Sequence, residues 1–440
     1  MQITAHADVD VVALEQTDEV HVLLELRAPA APDTGQARPE HTAVVVLDRS
    51  GSMAGDRLEH AKEALVRVVG RLDDRDRFGL VTFDDSAEVM VPAGTVGEVG
   101  RERIVRAIRA ISPGGMTDVS AGYFRGLQEA RRVCSEAGAT LILVSDGHAN
   151  SGVTDPTALG QTAARAATRS ITTSTVGMGD GYDDSILDAL ATSGQGNHGY
   201  AHDGDGAAFA ISTEVDGLLS KTVQAAHLIV RPTADVREVE VLNDVPSSTD
   251  GETLVVELGD LYAGETRRLS LRLVVPGMGA LGLAQIAELS VGFVSLPQLT
   301  QHTVTIPVQV NVVPADVARG RVRDPKVVEE SLFAEVQRDK KRSVEALGRG
   351  DLDGARRHLH TARDLTSSMP ESVALQVEAD WIDATSGQLQ HQGISHASKR
   401  LRSNLSKTRR GSMARDAGGE IELPNADTAS PGEDPTGHPA

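Results

Sequence analysis

The chain has 440 residues, of which 40% are hydrophobic but only 2% aromatic, and its formal net charge is −20. This length allows two to three domains, whose cores must be built from Val, Leu, Ile and Ala. The negative charge and the scarcity of aromatic rings disfavour nucleic acids and anionic membranes as partners, because like charges repel and single strands bind by stacking on aromatic side chains.

Three features predict a soluble protein of the cytoplasm. Cys134 is the one cysteine, so no intrachain disulfide can form, as is usual in a reducing compartment. The first 20 residues lack the basic segment and apolar core of a signal peptide. No apolar run approaches the length needed to span a bilayer. We therefore expect a cytoplasmic location, with no membrane and no nucleic acid as partner.

Residues 1–41 predict an N-terminal β-hairpin. The stretch EVHVLLELR alternates apolar and polar residues, which is the pattern of a half-buried strand, and residues 2–14 show a weaker form of it. The stretch APAAPDTGQARPE, rich in Pro and Ala, then separates this hairpin from the next region of the chain.

From residue 42 to about 218, continuous apolar strands alternate with amphipathic helices. The predicted strands are Ala43–Leu47, Phe78–Phe83, Ala87–Val91, Thr140–Ser145 and Ser174–Met178. The predicted helices lie near residues 57–72, 101–111, 119–136, 156–168 and 184–193. This alternation predicts a doubly wound, Rossmann-like α/β domain with a mostly parallel sheet, a fold that binds ligands at the carboxyl ends of its strands.

The rest of the chain changes character twice. Residues 222–313 alternate as antiparallel strands, which predicts a β-sandwich. We infer that the N-terminal hairpin belongs to this sandwich and that the α/β domain is inserted between its strands; a separate hairpin docked on the α/β sheet is the alternative. Residues 324–402 predict a small α-helical region, in which Trp381 packs the helices, and residues 403–440 predict a disordered tail.

The stretch LDRSGSM brings three oxygen-bearing side chains together at the carboxyl end of the first α/β strand. Ser50 and Ser52 follow Asp48 at i+2 and i+4, so that the three side chains can point at one spot in an extended or looped backbone. A carboxylate with hydroxyls is a set of hard ligands, which suits Mg²⁺ or Ca²⁺ better than zinc. The alternative is helix capping, because Asp and Ser also favour caps and turns.

Two later stretches offer the further oxygens that Mg²⁺ requires. Thr117 follows a Gly-Gly turn in SPGGMTDVSAGYFRGL, and Asp146 ends the buried strand of TLILVSDGHANSG. If both lie at the carboxyl edge of the sheet, they join the first three side chains around one cation. We interpret Asp118 instead as a carboxylate at a helix N-terminus, where it interacts with the helix dipole.

These motifs, in this order, resemble the von Willebrand factor type A (VWA) domain. In that family Asp-x-Ser-x-Ser, a Thr after Gly-Gly and a later Asp-Gly build the metal-ion-dependent adhesion site. The resemblance covers residues 42–218, and VGMGDGYDDSILDALATSGQGNHGYAHD is similar to the closing segment of the family. It implies the metal ligands Asp48, Ser50, Ser52, Thr117 and Asp146, all of which are intact. With its soluble character, the chain resembles bacterial cytosolic members.

The resemblance implies that the site binds Mg²⁺, or Ca²⁺ or Mn²⁺ in its place, and recognises a Glu or Asp carboxylate on a protein partner. Three of the five ligand groups are neutral hydroxyls, so the cation keeps positive charge for a visiting carboxylate. We therefore expect a non-enzymatic, metal-dependent protein-interaction module that acts as an adaptor or scaffold.

Other functions stay open at this point. Such domains also serve as substrate adaptors for MoxR-type or chelatase-type AAA+ ATPases; this chain has no Gly-Lys-Ser/Thr phosphate loop, so the ATPase would be a separate polypeptide. A Mg²⁺-dependent hydrolase or phosphotransferase would use Asp48, but position 50 is Ser rather than the second Asp of an aspartyl-phosphate enzyme. A secreted adhesin is a third alternative. The oligomeric state is not indicated.

One motif in the predicted tail favours a modification. In TRRGSM, Arg409 and Arg410 precede Ser412, a pattern that basic-directed kinases prefer. Phosphorylation would add roughly two negative charges beside the arginines. Ser412 is therefore a candidate phosphosite for a kinase acting on the tail.

Overall fold

The computed structural model describes residues 1–30, 40–146, 149–179, 184–201, 221–233 and 236–391, together with residues 211, 214, 217, 220, 398, 401, 404 and 405. Within these residues the chain forms one α/β sheet, two largely antiparallel sheets and a group of helices. The predicted phosphosite Ser412, and almost all of the predicted tail at 403–440, lie outside the described residues.

The α/β sheet has six strands in the order β6-β5-β4-β7-β8-β9. They are β4 Thr42–Asp48, β5 Arg77–Phe83, β6 Ala87–Thr95, β7 Ala139–Ser145, β8 Ile171–Met178 and β9 Gln195–Ala201. All neighbours are parallel except β6, which is antiparallel to β5. The predicted mostly parallel, Rossmann-like sheet is confirmed, and β9 is an additional strand.

Helices cover both faces of this sheet, because successive side chains of a strand point to opposite faces. The helices are α1 Asp56–Arg71, α2 Val96–Val99, α3 Arg101–Arg109, α4 Val119–Val133, α5 Pro156–Ala167 and α6 Asp184–Ser193. Val45 and Leu47 of β4 belong to the core with α1 and α3, whereas Val44 and Val46 belong to the core with α4, α5 and α6. The continuous apolar run of β4 is therefore buried on both faces.

Helix α4 ends at Val133, three residues before the predicted end. Cys134 is therefore the residue that follows the helix, and its side chain is only half-buried. Burial raises the pKa of the Cys134 thiol, while the charge of Lys221 opposes the rise.

Strands from both sides of the α/β domain share the two other sheets. One sheet has the order β1-β3-β14-β11 and the other β12-β13-β10-β15-β16-β2. The strands are β1 Gln2–Ala7, β2 Val11–Ala13, β3 Asp18–Arg27, β10 Lys221–Pro232, β11 Glu238–Val241, β12 Ser247–Asp250, β13 Thr253–Tyr262, β14 Thr266–Val275, β15 Gly282–Ser295 and β16 Thr300–Val313.

The pairing joins the N-terminal strands to the C-terminal ones. Strand β3 pairs with β14 over ten residues, from Asp18 opposite Val275 to Arg27 opposite Thr266, and β2 pairs in parallel with the end of β16. Side chains of both sheets form one hydrophobic cluster, as in the two layers of a sandwich. In chain order, the α/β domain lies between β3 and β10.

The helices after the sheets are α7 Ala315–Ala318, α8 Pro325–Gly348, α9 Leu352–Thr366 and α10 Val373–His391. Asp324 caps α8 by accepting the backbone N–H groups of Lys326 and Val327, and Asp351 caps α9 in the same way through Gly354. Trp381 is buried in the shared core, as predicted. Among the described residues, we find no helix with the length and apolar character that a membrane span requires.

Candidate metal centre

Asp48 is the most deeply buried carboxylate of the predicted site. It ends β4, and its Oδ1 accepts the backbone N–H of Ser50 at 2.7 Å. Its Oδ2 accepts the hydroxyl of Ser145, the last residue of β7, at 2.6 Å. Burial raises the pKa of Asp48 to about 6 against the effect of these hydrogen bonds, and the charge of Asp146 adds to the rise. A cation beside Asp48 would reverse this balance, because it favours the charged carboxylate.

The two serines form a chain of hydroxyls from Asp48 toward Asp146. The Oγ atoms of Ser50 and Ser52 lie 3.1 Å apart, and Ser52 donates from its hydroxyl to Oδ1 of Asp146 at 2.8 Å. Ser50 precedes a short 3₁₀ turn at Gly51–Met53 without capping it through its side chain. The residue before α1 is Gly55. The capping alternative for these serines is therefore wrong, and their hydroxyls face the carboxylates instead.

The loop that carries Thr117 is fixed against the loop after β4. The N–H of Gly114 donates to the carbonyl of Arg49 at 2.6 Å, and the N–H of Gly51 donates to the carbonyl of Gly115 at 2.9 Å. A Cβ on Gly114 would lie 2.1 Å from Oδ2 of Asp84, so only glycine allows this approach. Gly114, the first glycine of the Gly-Gly turn, is therefore required by the packing of this loop against Asp84.

Thr117 itself is buried and is held from the opposite side by Asn150. The N–H of Thr117 donates to Oδ1 of Asn150 at 3.0 Å, and the N–H of Asn150 donates to the carbonyl of Thr117 at 3.1 Å. Thr117 thus lies between the loop after β4 and the segment after β7. Next to it, Asp118 accepts the N–H of Ala121 and caps α4, which confirms its predicted place at a helix N-terminus.

Arg57 is a member of the site that sequence reasoning missed. Its Nη1 lies 2.7 Å from Oδ2 of Asp146 and 3.3 Å from the carbonyl oxygen of Ser52. Asp146 is buried, whereas 45% of the Arg57 side chain is exposed. Sequence could place Arg57 in the first turn of α1, but not against the segment after β7. Ser145 and Asn150 were missed for the same reason, since their contacts lie between distant segments.

The donor set fits a hard divalent cation. The structure links Asp48, Ser50, Ser52 and Asp146 by hydrogen bonds and fixes the loop of Thr117 beside them. All five predicted ligands offer oxygen, which Mg²⁺ and Ca²⁺ prefer. In the part of the chain that the structure describes, we find no cluster of three or more His, Cys, Asp or Glu residues that could hold a metal.

Comparisons with known proteins agree with this architecture. Residues 43–210 match the family model of the von Willebrand factor type A domain. The structure of a von Willebrand factor type A protein from Catenulispora acidiphila shares the fold, with a TM-score of 0.69, 18% identity and coverage of 86% of this chain and 89% of that one. The ArnB paralog VWA2 from Sulfolobus acidocaldarius also shares it, with a TM-score of 0.61, 15% identity and coverage of 93% and 98%.

Relatives detected by sequence are more varied. The uncharacterized protein sll0103 of Synechocystis is 29% identical over 279 residues, which are 60% of this chain and 65% of that protein. The uncharacterized protein YfbK of Escherichia coli is 26% identical, over 42% of this chain and 32% of its own. Human inter-alpha-trypsin inhibitor heavy chain H3 is 27% identical, over 39% and 20%. The chain thus spans less than two thirds of each of these relatives.

Proposed function

From the match of residues 43–210 to the family model of the von Willebrand factor type A domain, we propose that the protein is an adaptor or scaffold that binds an acidic residue of a partner protein through a divalent cation. Domains of this family are commonly metal-dependent protein-interaction modules. The observation that carries the proposal is the linked cluster at the strand ends, where two buried carboxylates and two serine hydroxyls converge.

Five residues would hold the ion: Asp48, Ser50, Ser52, Thr117 and Asp146. The three hydroxyls bring no charge, so only the two carboxylates offset the charge of a divalent ion. When bound, the cation supplies an electrophilic charge to which a carboxylate oxygen of the partner can add as a ligand. The protein's own contribution is to fix the two strand ends and the loop of Thr117 relative to each other.

We propose Mg²⁺ as the resident ion, with Ca²⁺ and Mn²⁺ as substitutes, and a cytoplasmic, non-enzymatic role. Support for the non-enzymatic role comes from the residues around Asp48. The residue at position 50 is Ser, so the second carboxylate of an aspartyl-phosphate enzyme is absent from that position.

The test combines metal titration with partner capture. Isothermal titration of the full chain with Mg²⁺ or Mn²⁺ should give one site in the wild type and none in Asp48→Ala. A pull-down in Mg²⁺ should retain partners that EDTA releases, and Asp48→Ala should lose them in either buffer. Asp353→Ala, at an exposed position of α9, is the matched control and should behave like the wild type. Partners held equally in Mg²⁺ and EDTA would overturn the metal-bridge mechanism.

A further inference from the structure

The guanidinium of Arg57 lies beside the candidate metal centre, where two hydrogen bonds hold it. It donates to Oδ2 of Asp146 at 2.7 Å and to the carbonyl of Ser52 at 3.3 Å. On its other side lies Gly179, where a Cβ would come within 3.0 Å of Nη2. Gly179 has a φ of +67°, a conformation that glycine adopts readily. The backbone at Gly179, directly after β8, therefore leaves room for the guanidinium at this position.

The two carboxylates of the site are compensated unequally. The oxygens of Asp48 accept from neutral groups, the N–H of Ser50 and the hydroxyl of Ser145. Among the described residues, Asp146 accepts from one neutral group, the hydroxyl of Ser52, and from the charged Arg57. Two carboxylates and one arginine give a formal charge of −1, whereas the carboxylates alone give −2. Arg57 thus halves the charge that attracts a cation.

We propose that Arg57 is a built-in competitor of the cation for Asp146. While the arginine donates to Oδ2, it takes up one of the acceptor sites of that oxygen, and the positive guanidinium repels the incoming cation. This inference rests on the proposed function, in which Arg57 would change the affinity for the metal and the affinity for the acidic partner in opposite directions. Arg57 weakens metal binding, but it leaves the loaded site with a formal charge of +1 instead of zero, which favours an acidic ligand.

Mn²⁺ alone is the probe for this positioning role. In titration calorimetry of the full chain, Arg57→Ala and Arg57→Met should bind Mn²⁺ about tenfold more tightly than the wild type, which corresponds to about 1.4 kcal/mol. Arg57→Lys keeps the charge and should stay within about threefold of the wild type, because Coulomb repulsion depends on charge rather than on shape. The Met variant keeps the apolar stem, so it separates lost charge from lost packing.

Arg231→Ala is the matched control. Arg231 is 50% exposed and pairs with a single carboxylate, Glu288, at 3.1 Å on the sandwich. Its removal changes the net charge of the protein by the same amount as removal of Arg57. It should leave Mn²⁺ affinity unchanged, since this exposed charge is screened by solvent and salt and is paired with Glu288 on a different sheet.

Thermal unfolding in EDTA is the second readout. Without metal, Arg57→Met leaves the two carboxylates without their counter-charge, so its Tm should fall below that of the wild type. In saturating Mn²⁺ the difference should shrink or reverse. This crossing is not expected of a residue that only packs the loop, for which the Tm loss would be the same in both buffers.

The outcomes separate the two proposals. Wild-type binding of Mn²⁺ with equal or weaker binding by Arg57→Met and Arg57→Ala overturns the competitor and leaves the metal site intact. Binding by the arginine variants but not by the wild type supports the competitor in its strongest form. If folded wild type and folded Arg57→Met both fail to bind Mn²⁺, the metal site is overturned and the competitor falls with it.

Discussion

Two clusters of buried charge in this molecule are balanced in opposite ways. In the α/β domain, the buried Asp48 and Asp146 lie in a cluster with one half-exposed arginine, Arg57, which pairs with Asp146. In the helical region, the fully buried Lys340 meets the buried Glu378 at 2.7 Å. Its Nζ also lies 4.4 Å from the ring centroid of Trp381 and donates to the side chain of Asn404.

The difference between the clusters is one of access. Burial lowers the pKa of Lys340 while Glu378 opposes the shift, and the partners described for that ammonium group are all buried side chains. The Asp48 cluster has one more negative charge than positive charge, and its arginine faces solvent. A closed cluster stabilises a fold, whereas a cluster with a charge deficit has a reason to bind something from outside. We take this deficit to be the physical mark of the binding site.

The largest change in stability is expected when the buried ion pair of Lys340 and Glu378 is broken. Glu378→Leu leaves the ammonium of Lys340 buried without its counter-charge, which should lower the free energy of unfolding by about 3–5 kcal/mol. Adding Lys340→Met to it should restore most of that loss, because a buried pair can be replaced by apolar residues of similar volume. Urea unfolding of both variants measures this.

Arg363 and Asp383 provide the control for that experiment, because they form an exposed ion pair at 2.9 Å on neighbouring helices. Arg363→Met should change the free energy of unfolding by less than about 1 kcal/mol. If Glu378→Leu lowers the free energy of unfolding no more than this control does, the charge of Lys340 does not depend on Glu378. The contrast with the Asp48 cluster then fails.

The next largest change in stability is expected when a metal ion binds to the cluster of Asp48 and Asp146. At a Mg²⁺ concentration one hundred times its Kd, binding to the native state alone should add about 2.7 kcal/mol to the free energy of unfolding. The wild type and the Lys340→Met/Glu378→Leu variant should both show the gain, since the helical cluster takes no part in it. Asp48→Asn, which keeps the shape of the side chain, should lose it in scanning calorimetry. A gain that persists in Asp48→Asn would place the ion elsewhere.

The smallest effect concerns an intermediate case, the ion pair of Asp18 and Arg321. Two hydrogen bonds of 2.6 Å and 2.5 Å join them, and the side chains are 14% and 17% exposed. Arg321→Met should cost about 1.5 kcal/mol at pH 7, the value typical of a charged hydrogen bond. The charges of this pair offset each other and are partly exposed to solvent. Its mutation should therefore cost less stability than mutation of the Lys340–Glu378 pair, and metal should not change that cost.

The pH dependence of this cost has a definite sign. Burial raises the pKa of Asp18, but hydrogen bonds from Arg321 and from the backbone of Ala13 outweigh it and hold the pKa below the ordinary value of 3.8. The stabilisation is therefore fully present above pH 4 and is lost as the pH falls through the folded-state pKa. The difference between wild type and Arg321→Met, followed by urea unfolding from pH 7 downward, should shrink in that range. A constant difference would contradict this assignment.

Much of the α/β domain could be predicted because its signals are local. Apolar runs such as Ala43–Leu47 are buried on both faces, and helix bounds such as 156–168 were correct to within about one residue. Strand β9 was missed because its sequence, QGNHGYA, is polar and rich in glycine. It becomes a strand only by pairing with β8, and such backbone pairing leaves little trace in side-chain pattern.

The candidate site was predicted in part for the same reason. Asp48, Ser50 and Ser52 share one loop, so their spacing indicated that they could converge. The partners Arg57, Ser145 and Asn150 act across segments that meet only in the folded chain. Likewise, alternation in EVHVLLELR predicted a strand, which pairs with β1 on one side, but could not identify its second neighbour, β14, more than two hundred residues later.

That pairing has a consequence for how the chain folds as it is synthesised. Leu24 lies opposite Leu269 in the sheet. Strand β3 is therefore synthesised early, whereas its neighbour β14 is synthesised more than two hundred residues later. The α/β domain between them contains all of its own strands and can fold as a unit meanwhile, since domains generally fold as units during synthesis. Until β14 leaves the ribosome, the edge of β3 that pairs with it has no native partner. We expect the nascent chain to depend on chaperones most strongly in that interval.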